Sequence, residues 1–169
     1  MKLKAGDIFS VIVGDKGFCL GQIVKIPNKE SLSVVIYEEL FHGLASDVLE
    51  QTVKACTPLL FGNTFDAKFY HRHWEIIGNN TILLDGIKLP YYKVGRFPVC
   101  VEDFDEQKIR RESEKEKVLL VFRKYVAPVR LENALLAHHG LGEWKDELYE
   151  PLLYAYNIKS NALINANRF

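Results

Sequence analysis

The sequence has no CxxC pair, and its three cysteines, Cys19, Cys56 and Cys100, are odd in number and far apart. A disulfide framework or a structural zinc site is therefore not expected; buried free thiols in a reducing cytoplasm are. Nor is there an excess of charge of either sign, with 22 basic against 22 acidic residues. A domain that grips nucleic acid through its phosphates carries a basic excess or stripe, so nucleic acid is not the expected partner. Apolar runs such as Val118 to Phe122 fall far short of the roughly 20 residues that span a bilayer. The opening Met1-Lys2-Leu3-Lys4-Ala5-Gly6-Asp7 has no apolar core of the secretory type, which predicts a cytoplasmic location without membrane attachment. The sequence also lacks a GxSxG elbow, a phosphate-binding glycine loop and an HExxH pair.

What is present is a folding composition, 48% apolar and 12% aromatic in 169 residues, enough for one domain over residues 1–169 with a polar tail from about 159. The first third predicts a three-stranded antiparallel meander. Asp7 to Val13 is β-branched and aromatic, Gly14-Asp15-Lys16-Gly17 is a turn, and Phe18 to Ile26 resumes as strand, with Gly21 marking a bulge or bend. Pro27-Asn28-Lys29 turns the chain into Leu32 to Tyr37. Leu44 to Val53 reads as a short helix with Ser46 as its cap. Ala55 to Phe61 reads as strand broken by Gly62-Asn63-Thr64, and Asp66 to His73 is ambiguous. Trp74 to Gly78 alternates weakly and ends in a turn, while Ile82 to Leu84, Tyr91 to Val94 and Phe97 to Val101 read as short strands. Phe104 to Lys117 is polar, a loop or exposed helix, and Val118 to Phe122 reads as a buried strand. Arg130 to His138 has helical spacing and ends at Gly140. Glu143 to Tyr156 is a second helix that Pro151 must split. Strands first and helices last predict an α+β fold: a curved antiparallel β-sheet or partial barrel with C-terminal helices packed against it.

Few residues suggest chemistry. His71-Arg72-His73 would set two imidazoles on one face of a strand, and Asp66 or Glu75 would be the third ligand of a metal site; surface histidines are the simpler reading. His138-His139-Gly140-Leu141-Gly142 lacks a dinucleotide-binding frame, and capping accounts for its glycines. No catalytic residues, metal or cofactor are expected, and the enzymatic alternative is a small hydrolase using His71/His73 or His138/His139. Trp74 and Trp144 are expected inside. The charge pattern is more informative. Glu30, Glu38, Glu39, Asp47 and Glu50 fall in one segment without Lys or Arg, and Glu102, Asp103, Asp105 and Glu106 fall in another. Such surface either solubilises the protein or attracts a cationic partner.

Several phrases together resemble the immunity protein 26 family of bacterial polymorphic toxin and contact-dependent inhibition systems. Lys4-Ala5-Gly6-Asp7-Ile8-Phe9 with Gly14 to Val24 is similar to its first hairpin. Trp74-Glu75-Ile76-Ile77-Gly78 with Leu89-Pro90-Tyr91-Tyr92 is similar to its middle block, and Arg130 to Leu135 with His138 to Trp144 resembles a C-terminal helix of some members. The resemblance implies a small cytoplasmic protein that binds and silences a cognate toxin domain, and it supplies no catalytic residues. Joined to the acidic segments, it suggests a nuclease with a cationic cleft as partner and a monomeric inhibitor. The alternative is another cytoplasmic protein-binding or regulatory module. Of the two segments, the one holding Glu102, Asp103, Phe104, Asp105 and Glu106 is favoured as the toxin-binding loop, with Phe104 as an apolar anchor among acids. Glu38, Glu39, Asp47 and Glu50 are the second choice.

Overall fold

A computed structural model describes residues 2–27, 31–159 and 161–166. Its strands are β1 (Asp7–Ile12), β2 (Phe18–Lys25), β3 (Ser31–Phe41), β4 (Pro58–Phe65), β5 (Trp74–Asn79), β6 (Tyr92–Val94), β7 (Cys100–Glu102) and β8 (Lys108–Arg111). Its helices are α1 (Leu49–Ala55), α2 (Ala67–Tyr70), α3 (Glu114–Leu119), α4 (Pro128–His138), α5 (Asp146–Tyr149), α6 (Tyr154–Ile158) and α7 (Asn161–Ala166). The chain forms two compact units, one of residues 1–87 and 125–154, the other of 88–124 and 155–169. The fold is α+β, and every strand pairing is antiparallel.

The first unit is a five-stranded sheet in the order β4-β3-β2-β1-β5, not closed into a barrel. The short links at Gly14–Lys16 and after Lys25 leave only antiparallel pairing open to β1, β2 and β3, and the expected meander forms. Part of the turn expected at Pro27-Asn28-Lys29 lies outside the described residues. Phe9, Val11, Trp74 and the inward residues of β2 to β4 make the core with Leu131, Ala134 and Leu135 of α4. The register slips between Cys19 and Gly21, where a Cβ would overlap the Phe9 ring, so the glycine expected to bend the sheet also makes room for an aromatic. Helix α4 starts with Pro128 at its first turn, and Gly140 stands just past its end with φ +75°, as its sequence predicts. Pro151 splits the following helical stretch into α5, a 3-10 turn at Glu150–Leu152 and α6.

Four local expectations are corrected. Gly62-Asn63-Thr64 does not break β4 but lies inside it. The Ser33 hydroxyl donates to Asn63 Oδ1 at 2.7 Å and the Thr64 hydroxyl to the Val126 carbonyl at 2.8 Å, so the polar groups of this apparent turn are satisfied by tertiary partners. Leu131 of α4 packs tightly over Gly62, 3.1 Å from where a Cβ would stand. Ile82 to Leu84 is a 3-10 turn rather than a strand, with Asn80 Oδ1 accepting from the Ile82 N–H at 2.9 Å. Val118 to Phe122 is not a buried strand: α3 runs to Leu119 and Val118 is exposed, while Leu120 is buried beyond the helix end. Finally, within the polar tail the described residues Asn161–Ala166 are helical rather than loose, and Ile164 is buried with Val101 and Leu120.

The second unit carries the three-stranded sheet β6-β7-β8 together with α3 and α7. Its helix α3 starts at a buried carboxylate. Both oxygens of Glu116 accept from Arg110, at 2.6 and 2.7 Å, and one also accepts from the Ser113 N–H at 2.7 Å. The Arg110 hydrogen bonds, then those of Ser113, outweigh burial and hold the Glu116 carboxyl down at about 2. Its folded pKa therefore lies below the unfolded value of about 4.3. The stabilisation is present above that value and is lost as pH falls through it towards about 2. Between pH 5 and pH 2.5, wild type is expected to lose more of its urea midpoint than Glu116→Gln. Equal losses would show that another group governs acid unfolding.

Candidate functional site

The first acidic segment runs from the end of β3 into α1. Glu30 lies outside the described residues; Glu38, Asp47 and Glu50 face solvent and Glu39 is half-buried. Each has a local reason for its place. Glu38 Oε1 lies 3.1 Å from His138 Nε2 at the end of α4. Glu39 accepts the Thr57 N–H with both oxygens, at 2.8 and 2.9 Å, tying β3 to the start of β4. Asp47 sits in the 3-10 turn Ser46–Val48, and Glu50 in the first turn of α1, where a carboxylate faces the positive end of the peptide dipoles. The helix itself begins at Leu49, after that turn, rather than with Ser46 as its cap.

The second segment is the β7–β8 hairpin, and it divides its residues between inside and outside. Asp105 and Glu106 are exposed, Asp103 is half-buried, and Glu102 and Phe104 are buried. Asp103 Oδ1 accepts the Gln107 N–H at 2.9 Å, which closes the turn around Glu106 at φ +68°. Arg123 explains the inward turn of its neighbours. Its guanidinium lies 3.2 Å from a Glu102 oxygen, donates to the Asp103 carbonyl at 2.9 Å, and stacks 4.3 Å from the centre of the Tyr92 ring. Phe104, 5% exposed, has its ring centre 6.0 Å from the same guanidinium. A side chain held there is no projecting anchor, and Glu102 already has its cation. Sequence reasoning missed Arg123 because nothing local connects it to a carboxylate 21 positions earlier.

The histidines do not assemble a reaction centre. His71 and His73 lie not on a strand but in the turn between α2 and β5, where Arg72 takes φ 57°. Their rings are 6.3 Å apart, and the Lys68 ammonium sits 3.3 Å from His73 Nδ1. Among the described residues no three His, Cys, Asp or Glu side chains are grouped to hold a metal ion. A contact that the sequence does not foreshadow joins His139 Nε2 to the Cys19 thiol at 3.4 Å. Burial, then Glu39 and Glu38, push that thiol up to about 12, while burial, His138 and Lys16 hold the imidazole below its usual value. Both groups are therefore neutral near pH 7. The pair is a packed hydrogen bond rather than the thiolate–imidazolium pair a cysteine nucleophile requires.

Two concave features mark the first unit. One, of about 590 Å³, is lined by Asp66, Tyr70, Arg72, Trp74 and Glu75 among others. The other, a groove of about 310 Å³, is lined by Ile12, Phe18, Leu44, Leu49 and Ile77, with Ser10, Ala45 and Glu75. No helix among the described residues is long and apolar enough to cross a membrane.

No curated protein and no solved structure matches the chain. The family model for immunity protein 26 does match, over residues 4–96, a stretch that takes in β1 to β6, the first acidic segment, the groove and, apart from Leu3, the lining of the larger concave feature. With more than half its length matched, the chain belongs to the immunity protein 26 family.

Proposed function

We propose that this immunity protein acts in the cytoplasm of the toxin-producing cell, as a monomer, by seating acidic surface over the cationic active-site cleft of a nuclease toxin. Family membership assigns an immunity function and a toxin protein as partner. The choice of a nuclease rests on charge. Its cleft must hold phosphates and is therefore cationic and concave, which suits an acidic inhibitor. The observation that carries the reading is the set of solvent-facing acids Glu38, Asp47 and Glu50, on a segment without Lys or Arg between residues 31 and 53. Asp105 and Glu106 at the hairpin tip are a second acidic surface of the same kind. Glu102 and Phe104 serve by holding that hairpin, not by touching the toxin. The protein binds neither nucleic acid nor membrane, needs no metal or cofactor, and turns over no substrate.

Co-expression with the toxin domain encoded beside its gene is the direct test: cells should survive, the two proteins should co-purify, and nuclease activity should fall with complex formation. Rescue without a stable complex would argue for another mode of action. Asp105→Lys with Glu106→Lys then tests the hairpin. Exposed charges at the edge of an interface act mostly on encounter, so association should slow by roughly fivefold, with dissociation little changed and the salt dependence weakened. Unchanged association would place the hairpin outside the interface.

A further inference from the structure

The sheet of the first unit has two apolar faces, and one is only partly covered. Phe9, Val11, Trp74 and Ile76 turn towards the core beneath α4. Strand geometry sends Ser10, Ile12 and Glu75 to the other face. The irregularity between Ile8 and Phe9 places Ile77 beside them. On that face Leu49 of α1 packs over Gly78, and the chain from Leu44 to Leu49 forms a wall. Ile12 and Ile77, which the β1–β5 register sets towards opposite ends of the strand pair on either side of Ser10 and Glu75, stay 57% and 37% exposed. Two isoleucines at a concave, apolar surface are an unfavourable use of solvent-facing strand positions unless something covers them.

The charge around the groove says what the cover is. Apart from Phe18, which follows Lys16, the lining residues fall in stretches without Lys or Arg, residues 5–15, 31–53 and 73–87. Glu75 lines the groove itself, Asp47 and Glu50 are exposed and lie close in sequence to the lining residues Ala45 and Leu49, and Asp85 lies in the 3-10 turn that touches α1. An apolar floor within a rim of one sign favours an apolar side chain flanked by cations, the arrangement of a buried anchor inside a charged border. It disfavours a second copy of the same acidic rim, because like charges would be brought together. All the lining residues fall within the family-matched stretch, whereas the β7–β8 hairpin falls outside it.

We propose that this groove is the toxin-docking site: it takes an aliphatic or aromatic side chain from a Lys- or Arg-bearing segment of the toxin domain, with Ile12 and its strand neighbour Phe18 against the side chain and Glu75 against a flanking cation. The inference rests on the immunity reading and names the contact surface for it.

Ile12→Arg tests it, because it fills the groove and places a cation where the partner's cation should approach. Ile12 is exposed, so the fold should survive, as read by circular dichroism and the urea midpoint. The probe is the toxin domain encoded beside the gene, titrated against wild type, Ile12→Arg, Ile12→Val and Glu75→Lys. Ile12→Arg should weaken binding at least about thirtyfold, as loss of a central anchor does. Ile12→Val should bind within about threefold of wild type, and Glu75→Lys should lose about tenfold, mainly through slower association. If Ile12→Arg, folded, binds and protects like wild type while wild type neutralises the toxin, the groove assignment is overturned and the immunity reading stands. If wild type neither binds nor protects, both fall. A wild-type dimer that Ile12→Arg converts to monomer without change in toxin binding would show that a second copy covers the groove, and would also overturn the proposal.

Discussion

Trp74→Ala is expected to cost about 3–5 kcal/mol of stability, the range for emptying a large buried aromatic site. Trp74 is fully buried and stacks on Phe9 at 5.0 Å between ring centres, while Phe69 meets both rings edge-on, at 5.0 Å to Phe9 and 5.4 Å to Trp74. Each such aromatic pair adds about 0.5–1.5 kcal/mol beyond the area it buries. The indole N–H offsets part of this, because it is buried without a hydrogen-bond partner, a penalty of about 1–3 kcal/mol that truncation removes. Packing still prevails, since Phe9 and Phe69 both lose the ring they pack on, and Gly21 beside the Phe9 ring has no side chain to move into the space. Against a total of about 5–15 kcal/mol for a native protein, the loss is a large share. Urea unfolding should show it, and protection against the toxin should fall without any interface residue being altered. Trp74→Phe, which keeps a ring and deletes the orphan donor, should cost less than half as much. A Trp74→Ala protein within about 1.5 kcal/mol of wild type would show that the cluster repacks.

Arg123→Ala is expected to destabilise the second unit by about 3–5 kcal/mol, because it leaves the Glu102 carboxylate buried without its cation. The side chains of both partners are only 11% exposed, so solvent cannot substitute. The guanidinium also bonds the Asp103 carbonyl and lies on the Tyr92 ring, and Lys, with a point charge and no planar face, should replace it poorly. The double variant Arg123→Ala with Glu102→Gln should recover a substantial part of the loss, since no charge then remains buried. Hydrogen exchange across β7 and β8 is the readout, with amides of Val101 to Lys108 expected to lose protection in the single variant. If the single and double variants are equally stable, the cost lies in lost stacking rather than in the stranded charge. Asp105 and Glu106 are displayed by that turn, so hairpin order bears on the toxin contact proposed for them.

Much of the fold comes from features that act over a few residues. Gly14 to Gly17 turns the chain between two β-branched runs, so β1 and β2 must pair antiparallel. Pro128 and Gly140 bracket α4, and Pro151 divides the helical stretch between α5 and α6. The two acidic runs without bases are visible by inspection, and so is the likeness to the family, because turns and core aromatics leave a pattern along the chain. These are properties of neighbouring residues, and the amino-acid order alone determined them.

Contacts between distant positions decided the rest. Asn63 and Thr64 stay in β4 because Ser33 and Val126 satisfy them. Glu102 and Phe104 turn inward because Arg123 meets them there, leaving Asp105 and Glu106 as the exposed part of a segment that reads as uniformly acidic. Cys19 meets His139 across 120 positions and stays a neutral thiol because of burial and two nearby carboxylates. The groove over Ile12 and Ile77 exists only once β1, β5 and the chain before α1 are brought together. Periodicity places a side chain on one face of a strand. Whether that face is covered, paired with a charge or left open depends on which remote residue arrives opposite, and only the folded chain supplies that residue.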